Sequence, residues 1–144
     1  MTTPLLDRTG LDRAAELSGL DTVVALDPGV RGEATRNVPS TSAIFATHFP
    51  RFPVLPGVLL LDDLARLAAL VLAGTGTPQR WTLAAATRVR YRHYVRPGDV
   101  ATLSVEVLPA AAEPAFKGSV RVDGALVTSV GALTLRDTTA GGPA

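Results

Sequence analysis

The sequence predicts an α+β domain in which one long helix combines with an antiparallel sheet. Three observations predict it. A single long, mostly apolar run, Gly57 to Ala73, has helix punctuation at both ends. The residues after it fall into alternating runs separated by turn signals. The chain has 144 residues, 47% of them hydrophobic and 19% charged, enough apolar material for the core of one domain.

Residues 1–20 mix apolar and charged side chains without a strong period. Thr22 to Leu26 reads as a short strand stopped by Asp27-Pro28-Gly29. A second strand is expected over Arg31 to Val38. Pro56 and Gly57 open the helix, and Gly74 follows its end. Its length by helical rise is about 25 Å. Trp81 to Ala86 is a weak strand signal, and Thr87 to Val95 alternates well. Ala101 to Leu108 alternates cleanly, with Ala101, Leu103, Val105 and Val107 on one face. Phe116 to Val122 and Ala125 to Leu135 flank Asp123-Gly124, a two-residue hairpin signal. Pro109 to Pro114 is an Ala-rich loop. The domain is expected to span residues 1–137, with 138–144 a flexible tail. A helix apolar nearly all round must be covered on most sides, which a sheet curling about it would do.

Composition excludes several classes of function. The net charge of +1 argues against a general nucleic-acid binder. The absence of cysteine removes disulfides, thiolate nucleophiles and cysteine metal sites. No metal site or protein-bound cofactor is expected. The apolar stretch Val54 to Ala73 is interrupted by Asp62, Asp63 and Arg66, so it reads as a buried helix rather than a membrane span. With no secretory signal at the N-terminus, the expectation is a soluble, cytoplasmic protein.

The chemistry concentrates in His48-Phe49-Pro50-Arg51-Phe52-Pro53-Val54-Leu55-Pro56-Gly57-Val58-Leu59-Leu60-Leu61-Asp62. Three prolines stiffen the backbone between a histidine and an acid, and a glycine permits the tight turn after Pro56. Asp62 follows four apolar residues, and a carboxylate buried there would be costly unless paired or protonated. Two readings of His48 stand side by side: a structural histidine in a turn, or a base. Asp62 has a competing role too, because Arg66 four residues on can pair with it and oppose proton donation. Asp63, about 100° round the helix, is expected to face solvent or an interface.

The order HFPxxPVxPGVLLLD resembles the signature of the 3-hydroxyacyl-acyl-carrier-protein dehydratases, and Asp62 falls at its acid position. Asn37-Val38, Arg96-Pro97-Gly98-Asp99, Phe116-Lys117-Gly118 and Val122-Asp123-Gly124 extend the likeness over roughly residues 35 to 135. The resemblance implies a hotdog fold, a long helix wrapped by a curved antiparallel sheet. It implies syn elimination of water from a β-hydroxyacyl thioester on an acyl carrier protein. His48 would be the base, Asp62 the acid, and the Gly57 N–H the donor to the thioester oxygen. Phe52, Leu55, Val58 and Arg51 would contact substrate. The only prosthetic arm would be the phosphopantetheine carried by the substrate. His and acid of one site would come from two subunits, so a homodimer or a heterodimer with a related hotdog subunit is implied.

This chain also departs from the pattern. Arg51 and Thr47 stand where the family has glycine, and Arg66 where it usually has Gln. A specialised relative is therefore expected, with a half-active subunit of a heterodimer and a hotdog thioesterase as alternatives. Arg88, Arg90, Arg92 and Arg96 recur at even spacing, which on a strand shares one face. That row is either a solvated strand face or a dock for an acidic carrier protein and its phosphate. Tyr91 and His93 fall on the opposite face and are expected to pack.

Overall fold

The computed structural model describes residues 10–12, 20–38, 57–73, 81–109 and 112–138. His48, Arg51, Phe52, Leu55 and Thr47 lie outside the described residues, as do most of the expected tail and the middle of the Ala-rich loop. The elements run β1 (Thr22–Asp27), β2 (Arg31–Asn37), α1 (Gly57–Ala73), β3 (Trp81–Tyr91), β4 (Val100–Leu108), β5 (Ala115–Val122) and β6 (Ala125–Asp137).

The six strands form one sheet in the order β1-β2-β4-β5-β6-β3, every neighbouring pair antiparallel. β2 and β4 pair although α1 and β3 separate them in sequence. The expected α+β hotdog arrangement is present, with α1 on one face of the sheet. Leu60, Leu64, Leu67, Ala68 and Val71 recur at helical spacing and are buried. They meet Leu103, Val105, Phe116, Val120, Val130 and Leu133 from the inner face of the strands. Fully burying each leucine contributes roughly 1.5–3 kcal/mol.

Two turns follow directly from composition. Asp123 and Gly124 both take positive φ, 51° and 80°, as a two-residue hairpin with strand-matched twist requires. At the β1–β2 turn the Gly29 N–H donates to the Val71 carbonyl at 2.9 Å, tying the hairpin to the last turns of α1. The two strand signals Trp81–Ala86 and Thr87–Val95 prove to be one strand ending at Tyr91. The weakness of the first has a cause: the pairing with β6 slips between Leu83 and Ala85, so alternation breaks there.

Candidate active site

The segment that carries the motif is held at both of its described ends. Its N-terminal end is Val38, whose N–H donates to the Asp99 carbonyl at 2.9 Å, while the Gly98 N–H donates back to the Val38 carbonyl at 2.8 Å. The Asp99 side chain closes that corner by accepting from the Arg96 N–H at 2.8 Å. The Asn37 N–H donates to the Asp21 carboxylate. Its C-terminal end is Gly57, the first residue of α1.

Gly57 does more than open the helix. A Cβ built on it would lie 2.4 Å from the Tyr91 ring, so only glycine lets the ring rest against this backbone. Tyr91 is therefore a neighbour of the helix N-terminus, and at 53% exposed it is not the packed residue that the strand pattern predicts: it is the last residue of β3, and only the side of its ring against Gly57 is covered. Partial burial raises its phenol above the usual tyrosine range. His93, also expected to pack, is exposed instead, because β3 has already ended and alternation no longer applies.

The two acids of α1 exchange the environments expected of them. Asp62 is not buried: its side chain is 55% exposed, and it pairs with Arg66 at 3.1 Å. Val58, Asp62 and Arg66 occupy one exposed helical stripe, four residues apart. Asp63 is the buried acid, 3% exposed. It lies three residues from Leu60 and four from Leu67, inside the stripe that faces the sheet. Its partner is Arg36 of β2, whose Nε lies 3.0 Å from Oδ2. Among the described residues Oδ2 accepts no hydrogen bond, so the contact is one of charge rather than of directed donation. Burial pushes the Asp63 carboxyl up to about 6; Arg36 and then Arg66 oppose that rise, and Asp62 and Asp21 add to it.

The arginine row divides. Arg88 and Arg90 line one depression on the sheet face away from α1. Arg92 and Arg96 lie past the end of β3 and do not. Among the described residues no cluster of His and acidic groups could hold a metal ion. No helix among them is long and apolar enough to cross a membrane.

Comparison with known proteins fits this geometry. The profile of the ApeI dehydratases, the ApeI-like family, matches residues 29–129, more than two thirds of the chain. The chain belongs to the ApeI-like dehydratase family. Its match runs from the β1–β2 turn through the motif and α1 to β6. Among curated relatives, the 3-hydroxyacyl-[acyl-carrier-protein] dehydratase FabZ of Geobacillus thermodenitrificans is 36% identical over 112 residues, 75% of this chain and 77% of that protein. The FabZ of Granulibacter bethesdensis is 35% identical over 124 residues, 81% of this chain and 73% of that protein. The match to the Ruminiclostridium cellulolyticum FabZ, 34% identical, spans just under two thirds of that protein, 64%. Among solved structures, the dehydratase heterocomplex ApeI:P from Xenorhabdus doucetiae superposes with a TM-score of 0.65 at 16% identity, covering 82% of this chain and 81% of that one. The E. coli PaaI protein superposes at 0.61 and 14% identity, covering 89% and 90%. At such identities these structures establish the shared fold.

Proposed function

We infer that the chain dehydrates a β-hydroxyacyl thioester presented by an acyl carrier protein, giving the α,β-enoyl thioester. The carrying observation is the order His48, Gly57, Asp62 inside the matched region, with Gly57 at the N-terminus of α1 and Asp62 on its exposed stripe. In this reading neutral His48 takes the α-proton. The C–O bond at the β-carbon breaks, and the leaving hydroxyl departs as water with a proton from Asp62. The Gly57 N–H has no intrahelical partner and sits at the positive end of the helix dipole. It supports the charge that gathers on the thioester oxygen. Phe52, Leu55, Val58 and Arg51 bind the acyl chain and its linkage. No protein-bound cofactor has a part in this scheme.

The stripe Val58, Asp62, Arg66 is open to a second subunit, which supports a site shared between two chains. The second copy is this chain or a related hotdog subunit. The Asp62–Arg66 pair specifically favours the alternative of a half-active subunit within a heterodimer, since it engages the acid on its own helix. The ApeI:P neighbour is itself a heterocomplex. The deciding experiment is mass spectrometry of β-hydroxyacyl carrier protein incubated with the purified chain. Loss of one water supports the dehydratase reading. An unchanged mass that shifts only when a paralogous subunit is added supports the half-active subunit. Release of the acyl group as a free acid supports a thioesterase.

A further inference from the structure

The sheet face turned away from α1 carries charge that this chemistry does not use. Strand register sets its side chains in rows. Glu33, Ser104, Ser119, Ser129 and Arg90 stand side by side across five strands. In the adjacent row Arg31, Glu106 and Lys117 are opposite one another. Arg121 stands on the other side of the serine row, opposite Thr102. Together with Arg88 and Gly131 these residues bound a shallow depression of about 630 Å³. Its floor is serine and glycine, and its rim is cationic.

Five exposed cations, Arg31, Arg88, Arg90, Lys117 and Arg121, face two acids there, an excess of three on a chain whose net charge is only +1. Among the described residues none of the five forms a close ion pair of the kind that joins Arg36–Asp63, Arg66–Asp62 and Arg136–Glu113, and the one acid opposite Arg31 and Lys117, Glu106, is shared between them. Arg88 is also held in a conformation that costs free energy. Its φ of 52° is left-handed, and unlike Asp123 it lies in mid-strand, where no turn demands it. Such a residue costs roughly 1–2 kcal/mol. A Cβ added at Gly131 would lie 2.3 Å from Arg88 Nε, so the glycine opens the floor on which the side chain rests. Retained strain of this kind concentrates at binding sites.

Size and sign identify the occupant. From β2 to β3 the rim spans four strand spacings, about 19 Å. That is too wide for one phosphate, but it accommodates a helix of roughly 10–12 Å diameter lying across the sheet. A second copy of this chain would set like charges against like, which opposes self-association through this face. We propose that the outer face of the sheet docks an acidic protein surface. Resting on the dehydratase reading, that surface belongs to the acyl carrier protein. The footprint then lies on Arg31, Lys117 and Arg121 as well as on the two β3 arginines.

The test is the variant Arg31→Glu/Lys117→Glu/Arg121→Glu in the full chain, assayed two ways. Titration with apo acyl carrier protein, which has no arm or acyl group, reads docking without catalysis. The ratio of kcat/KM on a carrier-linked substrate to that on a small pantetheine thioester reads docking during turnover. The expected result is at least tenfold weaker apo-carrier binding and a ratio at least tenfold lower, both effects shrinking with added salt. Unchanged binding and an unchanged ratio would overturn the proposal. Saturable binding of inorganic phosphate that the variant loses while apo-carrier binding persists would also overturn it, in favour of a small-anion site. If the reversals prevent folding, Lys117→Gln/Arg121→Gln carries the same test with a smaller expected effect, about threefold. Loss of turnover on the small thioester by the unaltered chain would instead count against the dehydratase reading and leave the titration to decide docking.

Discussion

Asp63→Asn should stabilise this protein at neutral pH, against the usual expectation for breaking a buried ion pair. Removing one partner of such a pair commonly costs 3–5 kcal/mol, because the other charge is left buried and uncompensated. Here the remaining partner, Arg36, keeps 32% of its side chain in contact with solvent, so water can replace the lost carboxylate. The desolvated member is Asp63, and its ionised form accepts no hydrogen bond at Oδ2 among the described residues. Its carboxyl is raised from 3.8 to about 6, chiefly by burial. At 1.36 kcal/mol for each tenfold change, that displacement makes ionised Asp63 cost the folded state about 3 kcal/mol.

The sign fixes the pH dependence. A raised acid means that the folded state holds the proton more tightly than the unfolded chain. The cost is absent below about pH 4, grows as pH rises between 3.8 and 6, and is complete above that window. Urea unfolding of the unaltered chain and of Asp63→Asn, at one protein concentration, isolates it. The variant should be more stable by up to about 3 kcal/mol at pH 7.5 and by roughly half of that at pH 5. Carboxylates remote from Asp63 contribute alike to both proteins and cancel in the difference. A variant destabilised by more than about 1 kcal/mol at pH 7.5, or a difference constant with pH, would refute the reasoning. Arg36 would then depend on Asp63 more than Asp63 suffers from burial.

The remaining predictions concern the proposed chemistry and its supports. Asp62→Asn and His48→Ala should each lower turnover about 10²–10⁴-fold while thermal melting stays close to that of the unaltered chain. Normal turnover in either variant removes that residue from the mechanism. Arg66→Gln should raise turnover near neutral pH by about twofold, the scale set by an exposed helical pair of roughly 0.3–0.5 kcal/mol; a loss of activity would make Arg66 a participant. Gly57→Ala should destabilise by at most about 1 kcal/mol, because the added Cβ meets the outer part of the half-exposed Tyr91 ring, which can swing aside. Adding Tyr91→Ala should recover part of that loss in the same denaturation assay, whereas simple additivity would place the strain elsewhere.

The fold was legible where a local signal sufficed. The helix Gly57–Ala73 carried its own boundaries, and Asp123-Gly124 specified its own hairpin. β3 was harder, since an irregular register at Leu83–Ala85 hides its first half from a search for alternation. The exchange of roles between the two acids has a different origin. From Val58 to Leu61 every residue of α1 is apolar, so periodicity there cannot say which side meets the sheet. Only the later positions, Leu64, Leu67 and Val71, set the phase. With that phase Asp63 points inward and Asp62 falls on the line of Val58 and Arg66. The Arg66 spacing did carry a trace of this, because a salt bridge across four residues most readily forms on an exposed stripe.

What stayed out of reach belongs to strand order. Arg36 meets Asp63 because β2 crosses the inner face of α1, a fact that no local window contains. Arg31, Lys117 and Arg121 share a face with Arg88 and Arg90 because β2, β4, β5, β6 and β3 lie in that sequence across the sheet. The same pairing explains why the four evenly spaced arginines do not act as one row: alternation holds only while the strand does, and β3 ends at Tyr91. The fold therefore separates two kinds of charge. Asp62 stands on the exposed stripe of the helix, and the basic rim stands on the opposite face of the sheet. A carrier protein docked on that rim would have to pass its arm round a sheet edge to reach the acid. β3, which holds Arg88 and Arg90 and ends against Gly57 at Tyr91, is the edge that joins the two.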